Sequence, residues 1–222
     1  MAFPRPIRAV LLDMDGTLLD TETIFVGAMF DALGDMGLVL REALVHAMIG
    51  LPGQDCINLL RAEFGARFDY PTFQPIYVGH RTRRMEGGIP LKNGVPELLD
   101  LIEACGLKMA VATSSNRVNA TAHLGATGLL PRFAAVLTRD DVVAAKPDPA
   151  LFIKAAAALG QAPGDCLAVE DSHVGVRAAH GAGAMTVMVP DMLPPNAEIR
   201  LLCVHVLPDL HALVGLIRAA IG

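Results

Sequence analysis

Short apolar runs alternate along most of this chain with longer stretches in which apolar residues recur at helical spacing. The pattern predicts strands over Ala9–Leu12, Met109–Ala112, Ala135–Leu137, Leu167–Val169, Thr186–Val189 and Cys203–Val206. Strands separated by helices pair in parallel, so the fold class is α/β, a doubly wound, Rossmann-like parallel sheet. One region breaks the alternation. From Thr21 to Gly88 the helical stretches Ile24–Met36, Gln54–Phe64 and Gln74–Met85 follow one another between Gly and Pro, with no strand pattern. This reads as an all-helical insertion over residues 20–88, with the core formed by 1–19 and 89–222. The chain re-enters the core through Gly87-Gly88-Ile89-Pro90, and Pro96 suits the first turn of the next helix.

Composition narrows the function classes. With 222 residues, 53% hydrophobic and 18% charged, the chain is globular and long enough for one good core with an appended unit. Its apolar runs are too short for a membrane span, and the start lacks the cleavage site of a signal peptide. Cys56, Cys105, Cys166 and Cys203 lie far apart, which argues against zinc or disulfide frameworks and fits a reducing cytoplasm. A formal charge of −5 and the lack of a Lys/Arg block argue against nucleic acid as a partner. The short basic run His80-Arg81-Thr82-Arg83-Arg84 reads as a solvated helix face; Arg81, Arg83 and Arg84 also have the reach to meet a second anionic group. Nothing in the sequence sets an oligomeric state.

Chemistry gathers where predicted strands end, which in open parallel sheets is where ligands bind. Asp13 and Asp15 follow the first strand two residues apart, a spacing that puts two carboxylates on one side of an extended segment and suits a hard divalent cation such as Mg²⁺. Gly16 permits a sharp turn, Thr17 adds a hydroxyl, and a plain surface turn is the alternative reading. Thr113 and Ser114 end the second strand, either as phosphate-oxygen donors or as caps of the next helix. Lys146, held extended by Pro147, is either solvated or the counter-charge of the acids. Glu170 and Asp171 end the fourth strand, and Asp171 or Ser172 also suits a helix cap. Four carboxylates converging on one Lys make electrostatic sense only with a metal ion.

In this order, Asp13-Met14-Asp15-Gly16-Thr17, Thr113, Lys146 and Glu170-Asp171 resemble the haloacid dehalogenase superfamily of phosphotransferases. Gly94 to Asn116 and Glu170 to Ala184 resemble its branch with β-phosphoglucomutase and phosphoglycolate phosphatase, in which a helical cap is inserted where the alternation breaks. The resemblance implies that Asp13 attacks phosphorus to give an aspartyl phosphate, and that Asp15 protonates the leaving oxygen and later activates water. It implies that the Thr113 hydroxyl binds the phosphoryl group and that Lys146 orients the nucleophile and offsets charge; Ser114 beside Thr113 and Lys146 are also expected to bind phosphate. Asp13, the Asp15 carbonyl, Glu170 and Asp171 would form the Mg²⁺ site. Gly50-Leu51-Pro52-Gly53-Gln54 would be the cap loop facing substrate.

Departures from the branch narrow the expected activity. Where the cap of β-phosphoglucomutase carries a histidine and an arginine, this chain has Phe25 and Gly53, so a mutase is the second reading behind a phosphatase. Haloalkanoate dehalogenases and phosphonoacetaldehyde hydrolase lack the second acid, which is present here as Asp15. The expectation is a Mg²⁺-dependent phosphatase of small phosphorylated metabolites, sugar phosphates among them. The non-enzymatic alternative is a phosphoryl-accepting signalling or binding module; against it stand the Asp-x-Asp spacing and the inserted helices. Phe25, Met29, Phe30, Met48 and Leu51 read either as an adaptable lining or as ordinary core.

Overall fold

The computed structural model describes residues 3–48 and 53–221. It divides into two compact units, one of residues 1–20 and 90–222 and one of residues 21–89.

The larger unit is built on a six-stranded parallel sheet. Its strands are β1 (Ala9–Leu12), β2 (Lys108–Ala112), β3 (Ala135–Leu137), β4 (Cys166–Glu170), β5 (Met185–Met188) and β6 (His205–Val206), in the order β3-β2-β1-β4-β5-β6. The sheet is Rossmann-like and doubly wound, as the alternation predicts. Every residue of β1 and β4 is buried, so both faces of the sheet centre are covered, and this is why these strands read as continuous apolar runs.

The helices of this unit are numbered after those of the smaller one. They are α5 (Val95–Ala104), α6 (Arg117–Ala126), α7 (Ala150–Ala158), α8 (His173–Gly181), α9 (Ala197–Leu202) and α10 (Leu210–Ile221). Ala9, Ala110, Ala112 and Ala168 present a low surface to which α7 brings Leu151, Phe152, Ala155 and Ala156 and α8 brings Ala178 and Ala179. Pro96 lies in the first turn of α5, and the N-cap is Gly94 at φ 90°. A Cβ on Gly94 would come within 2.7 Å of the His211 backbone nitrogen, so only glycine lets α5 start against the start of α10.

The smaller unit holds α1 (Thr21–Asp35), α2 (Glu42–Met48), α3 (Gly53–Phe64) and α4 (Tyr70–Met85), with no strand among the described residues. It has its own core of Leu33, Leu38, Leu60, Phe64, Phe68 and Phe73. The helix α4 begins four residues before the predicted start at Gln74. Asp69 caps it, accepting from the Thr72 N–H at 3.0 Å, and Pro71 sits in the first turn, where a missing N–H costs nothing. Arg84 pairs with Asp31 and Arg83 donates to His80, while Arg81 lies 6.0 Å from the ring centres of both Phe25 and Tyr77. Within this unit Arg83 and Arg84 are therefore engaged by neighbouring side chains and Arg81 packs on aromatic rings. Gly50, Leu51 and Pro52 of the expected cap loop lie outside the described residues. Gly53 and Gln54 open α3, where Gln54 donates to Asn58.

Candidate active site

Register brings the polar strand ends together. Leu12 is level with Val111 on one side and Val169 on the other, so the residues that follow emerge side by side at the carboxyl edge of the sheet. The Asp13 N–H donates to the Val169 carbonyl at 3.0 Å and the Thr113 N–H to the Leu137 carbonyl at 2.9 Å, which extends the ladder by one residue at the edge.

Asp13, Glu170 and Asp171 are buried, and each offers a carboxylate oxygen within 4.8 Å of the others. Lys146, also buried, enters from the loop between β3 and α7 and donates to Asp13 Oδ1 at 2.5 Å and Glu170 Oε1 at 2.6 Å. Its ammonium lies 4.9 Å from the centre of the Phe152 ring, so the stem is packed and the head aimed. The Lys146–Pro147 peptide bond is cis.

Glycine makes room for the acids at two points. Gly16 has φ 85°, and a Cβ there would lie 2.5 Å from Asp171 Oδ2; Thr17 beside it donates to Asp171 Oδ1 at 3.0 Å. Gly175 in the first turn of α8 leaves space for the Glu170 carboxylate, which a Cβ would overlap. Glu170 folds back over that helix start, where Oε2 accepts from the Asp171 and Ser172 N–H groups at 3.1 Å and the Ser172 hydroxyl at 3.0 Å. The cap of α8 is Ser172, and the cap of α6 is Asn116 instead of Thr113 or Ser114.

Charge is unbalanced within this cluster. Three carboxylates against one ammonium leave a net −2 when all are ionised. Burial, reinforced by Glu170 and Asp15, pushes the Asp13 carboxyl well above the usual carboxylate range against the pull of Lys146. Burial opposes the Lys146 charge as well, but Asp13 and Glu170 outweigh it and hold the amine above its ordinary value. All-oxygen donors, burial and a deficit of two positive charges match a hard divalent cation.

The Asp15 carboxylate points elsewhere. Its Oδ2 accepts from the Ser115 hydroxyl at 2.8 Å and the Thr113 hydroxyl at 3.3 Å, so the two acids of the Asp-x-Asp pair have different partners. Ser114 is exposed. Ser115 did not stand out from the sequence; the signal available was a second hydroxyl two residues after Thr113 at a strand end.

Residues 10–189 match the family model of the haloacid dehalogenase-like hydrolases. The chain belongs to that family. Protein CbbY of Rhodobacter capsulatus is 30% identical over 194 residues, covering 83% of this chain and 86% of the relative. A phosphorylated carbohydrates phosphatase of Thermotoga maritima is 28% identical, covering 80% and 82%. The solved structure of CbbY from Rhodobacter sphaeroides in complex with xylulose-(1,5)bisphosphate superposes with a TM-score of 0.75 at 26% identity, covering 91% of this chain and 94% of that one. This haloacid dehalogenase-like hydrolase is thus an enzyme of the phosphatase branch.

Proposed function

We propose that this hydrolase is a Mg²⁺-dependent phosphatase of small phosphorylated metabolites, sugar phosphates among them, working through an aspartyl phosphate on Asp13. The observation that carries the reading is the buried set Asp13, Glu170 and Asp171, the first two of which Lys146 bridges. Asp13 and Asp171, with Glu170 beside them, would hold Mg²⁺, which supplies the positive charge that lets a carboxylate meet a phosphate ester.

Asp13 is then the nucleophile, aimed by the Lys146 ammonium. Attack forms a bond from Asp13 oxygen to phosphorus as the ester oxygen leaves. Asp15 gives that oxygen a proton, and in the second step takes one from the water that attacks phosphorus and frees Asp13. Thr113, Ser114 and Lys146 bind the phosphoryl oxygens. In this reading the helical insertion supplies the cap that selects substrate and limits the access of bulk water.

Hydrolysis is favoured over a mutase by Phe25 and Gly53, which stand where the cap of β-phosphoglucomutase carries a histidine and an arginine. The phosphorylated-carbohydrate and xylulose-bisphosphate relatives support sugar phosphates as the substrate class. A cytoplasmic location fits four cysteines that form no disulfide among the described residues.

The test is inorganic phosphate release from a panel of sugar phosphates, phosphoglycolate, nucleotides and an aryl phosphate, with Mg²⁺ and with a chelator. Release from the sugar phosphates that the chelator abolishes is the expected result. Release indifferent to the chelator, or none from any ester, contradicts the reading.

A further inference from the structure

Ser115 follows β2 in a short segment that is fastened along its backbone. Its N–H donates to the Thr113 hydroxyl at 3.0 Å, its carbonyl accepts from the Arg139 N–H at 3.0 Å, and Asn116 next to it caps α6. The backbone of Asp15 is fixed as well. It bridges to Leu19 across a turn in which the Gly16 N–H donates to the Leu19 carbonyl at 2.8 Å, and the Leu18 and Leu19 N–H groups donate to the Met14 carbonyl at 2.9 Å. Two rigid segments from neighbouring strands therefore meet through one short hydrogen bond, Ser115 Oγ to Asp15 Oδ2 at 2.8 Å. The Thr113 contact to the same oxygen is longer, at 3.3 Å, and the Thr113 hydroxyl also accepts from the Ser115 N–H.

Both hydroxyls converge on Oδ2. An oxygen that already accepts two O–H donors is the poorer place for a proton, so the proton that Asp15 transfers sits on Oδ1. We propose that Ser115 is a positioning residue for proton transfer: its hydroxyl fixes the Asp15 carboxyl so that Oδ1 carries and delivers the proton to the leaving oxygen. The inference rests on the reading of Asp15 as the proton donor, and it adds a consequence for substrate range. A hydroxyl at 115 matters most for esters whose leaving oxygen needs a proton, the alkoxides of sugar phosphates, and least for aryl phosphates, which leave as stable phenolates.

The test compares kcat/KM, which covers the steps up to cleavage of the ester bond, for a sugar phosphate and for 4-nitrophenyl phosphate. Loss of one hydrogen bond that strengthens as Asp15 gives up its proton makes Ser115→Ala about tenfold slower on the sugar phosphate and about twofold slower on the aryl ester. Ser115→Thr, which keeps the hydroxyl, recovers most of the sugar-phosphate rate; Ser115→Val, of nearly the same shape without it, does not. Equal losses on the two esters, or equal rates for the Thr and Val variants, overturn the proposal. Asp15→Asn is the reference: it loses far more on the sugar phosphate than on the aryl ester if Asp15 is the proton donor. Equal losses for Asp15→Asn overturn the proton-donor reading and the Ser115 proposal with it. A selective Asp15→Asn with an unselective Ser115→Ala overturns the Ser115 proposal alone.

Discussion

Gly175→Ala distinguishes a glycine kept for a site from a glycine that merely weakens a helix. In an ordinary helix the change to alanine gains about 1 kcal/mol, because glycine loses more backbone entropy on folding. At Gly175 the added Cβ would overlap the Glu170 carboxylate, and the end of a long side chain usually moves aside cheaply. This one is not free to move. Glu170 is fully buried and its two oxygens accept from Lys146, the Asp171 and Ser172 N–H groups and the Ser172 hydroxyl. Displacing it parts a buried charge from its partner, which costs about 3–5 kcal/mol, so the net effect is a destabilisation of about 2–4 kcal/mol.

For a chain of this length that lowers Tm by about 10 °C, and phosphatase activity falls with it because Lys146 loses one of its two anchors. Thermal melts followed by far-UV circular dichroism read the change. Fluorescence does not serve for the core, since the chain has no tryptophan and both tyrosines, Tyr70 and Tyr77, lie in the helical unit. In a Glu170→Ala background the collision is gone, and Gly175→Ala returns to the ordinary gain of about 1 kcal/mol. A Gly175→Ala variant as stable as the parent, or a loss of the same size in both backgrounds, would show that the Glu170 carboxylate does not fix the choice of glycine at 175.

Thr17→Val removes the hydroxyl that holds Asp171 Oδ1; it is expected to cost about 1–3 kcal/mol in urea melts and to raise the Mg²⁺ concentration needed for half-maximal activity, and an unchanged requirement would count against Asp171 as a ligand. Mg²⁺ at roughly 100 times its Kd should stabilise the parent by about 2.7 kcal/mol and leave Asp171→Asn nearly unmoved; equal shifts for the two proteins would contradict the assignment. The Lys146 pKa is raised in the folded state, against burial, by Asp13 and Glu170, so its contribution to stability is present in full below the unfolded value of about 10.4 and is lost as pH rises through the folded value. The urea midpoint of the parent should therefore fall more steeply above about pH 10.5 than that of Lys146→Met, and parallel curves would show that the pair contributes nothing.

Most of the sheet is legible in the sequence because strands buried on both faces announce themselves as apolar runs, and β1, β2 and β4 differ from their predicted ranges by at most a residue at either end. The helical unit is less legible. The predicted start at Gln74 leaves out Pro71, which lies in the first turn of α4, and α2 is a short helix with only Val45 and Met48 buried, too few for a clear period. At the site, residue type and position at strand ends pointed to Asp13, Glu170 and Asp171, which the register brings together, while Lys146, read as a loop lysine that could balance the acids, reaches Asp13 and Glu170 from the loop after β3. Side-chain direction was hidden. That Glu170 turns back over the start of α8, and that Asp15 turns to Ser115 instead of joining the other acids, follows from rotamers and from contacts spanning up to a hundred residues, which no local pattern encodes.

Transfer of phosphate to Asp13 is the claim on which the account turns. The direct measurement is acid quench of the chain mixed with a sugar phosphate and Mg²⁺, followed by peptide mass spectrometry of the parent and of Asp13→Asn. A phosphoryl group on Asp13 is expected in the parent, none in the variant, and no phosphate release by a variant that still folds. Phosphate found on another residue, or released at the parental rate by Asp13→Asn, would contradict it.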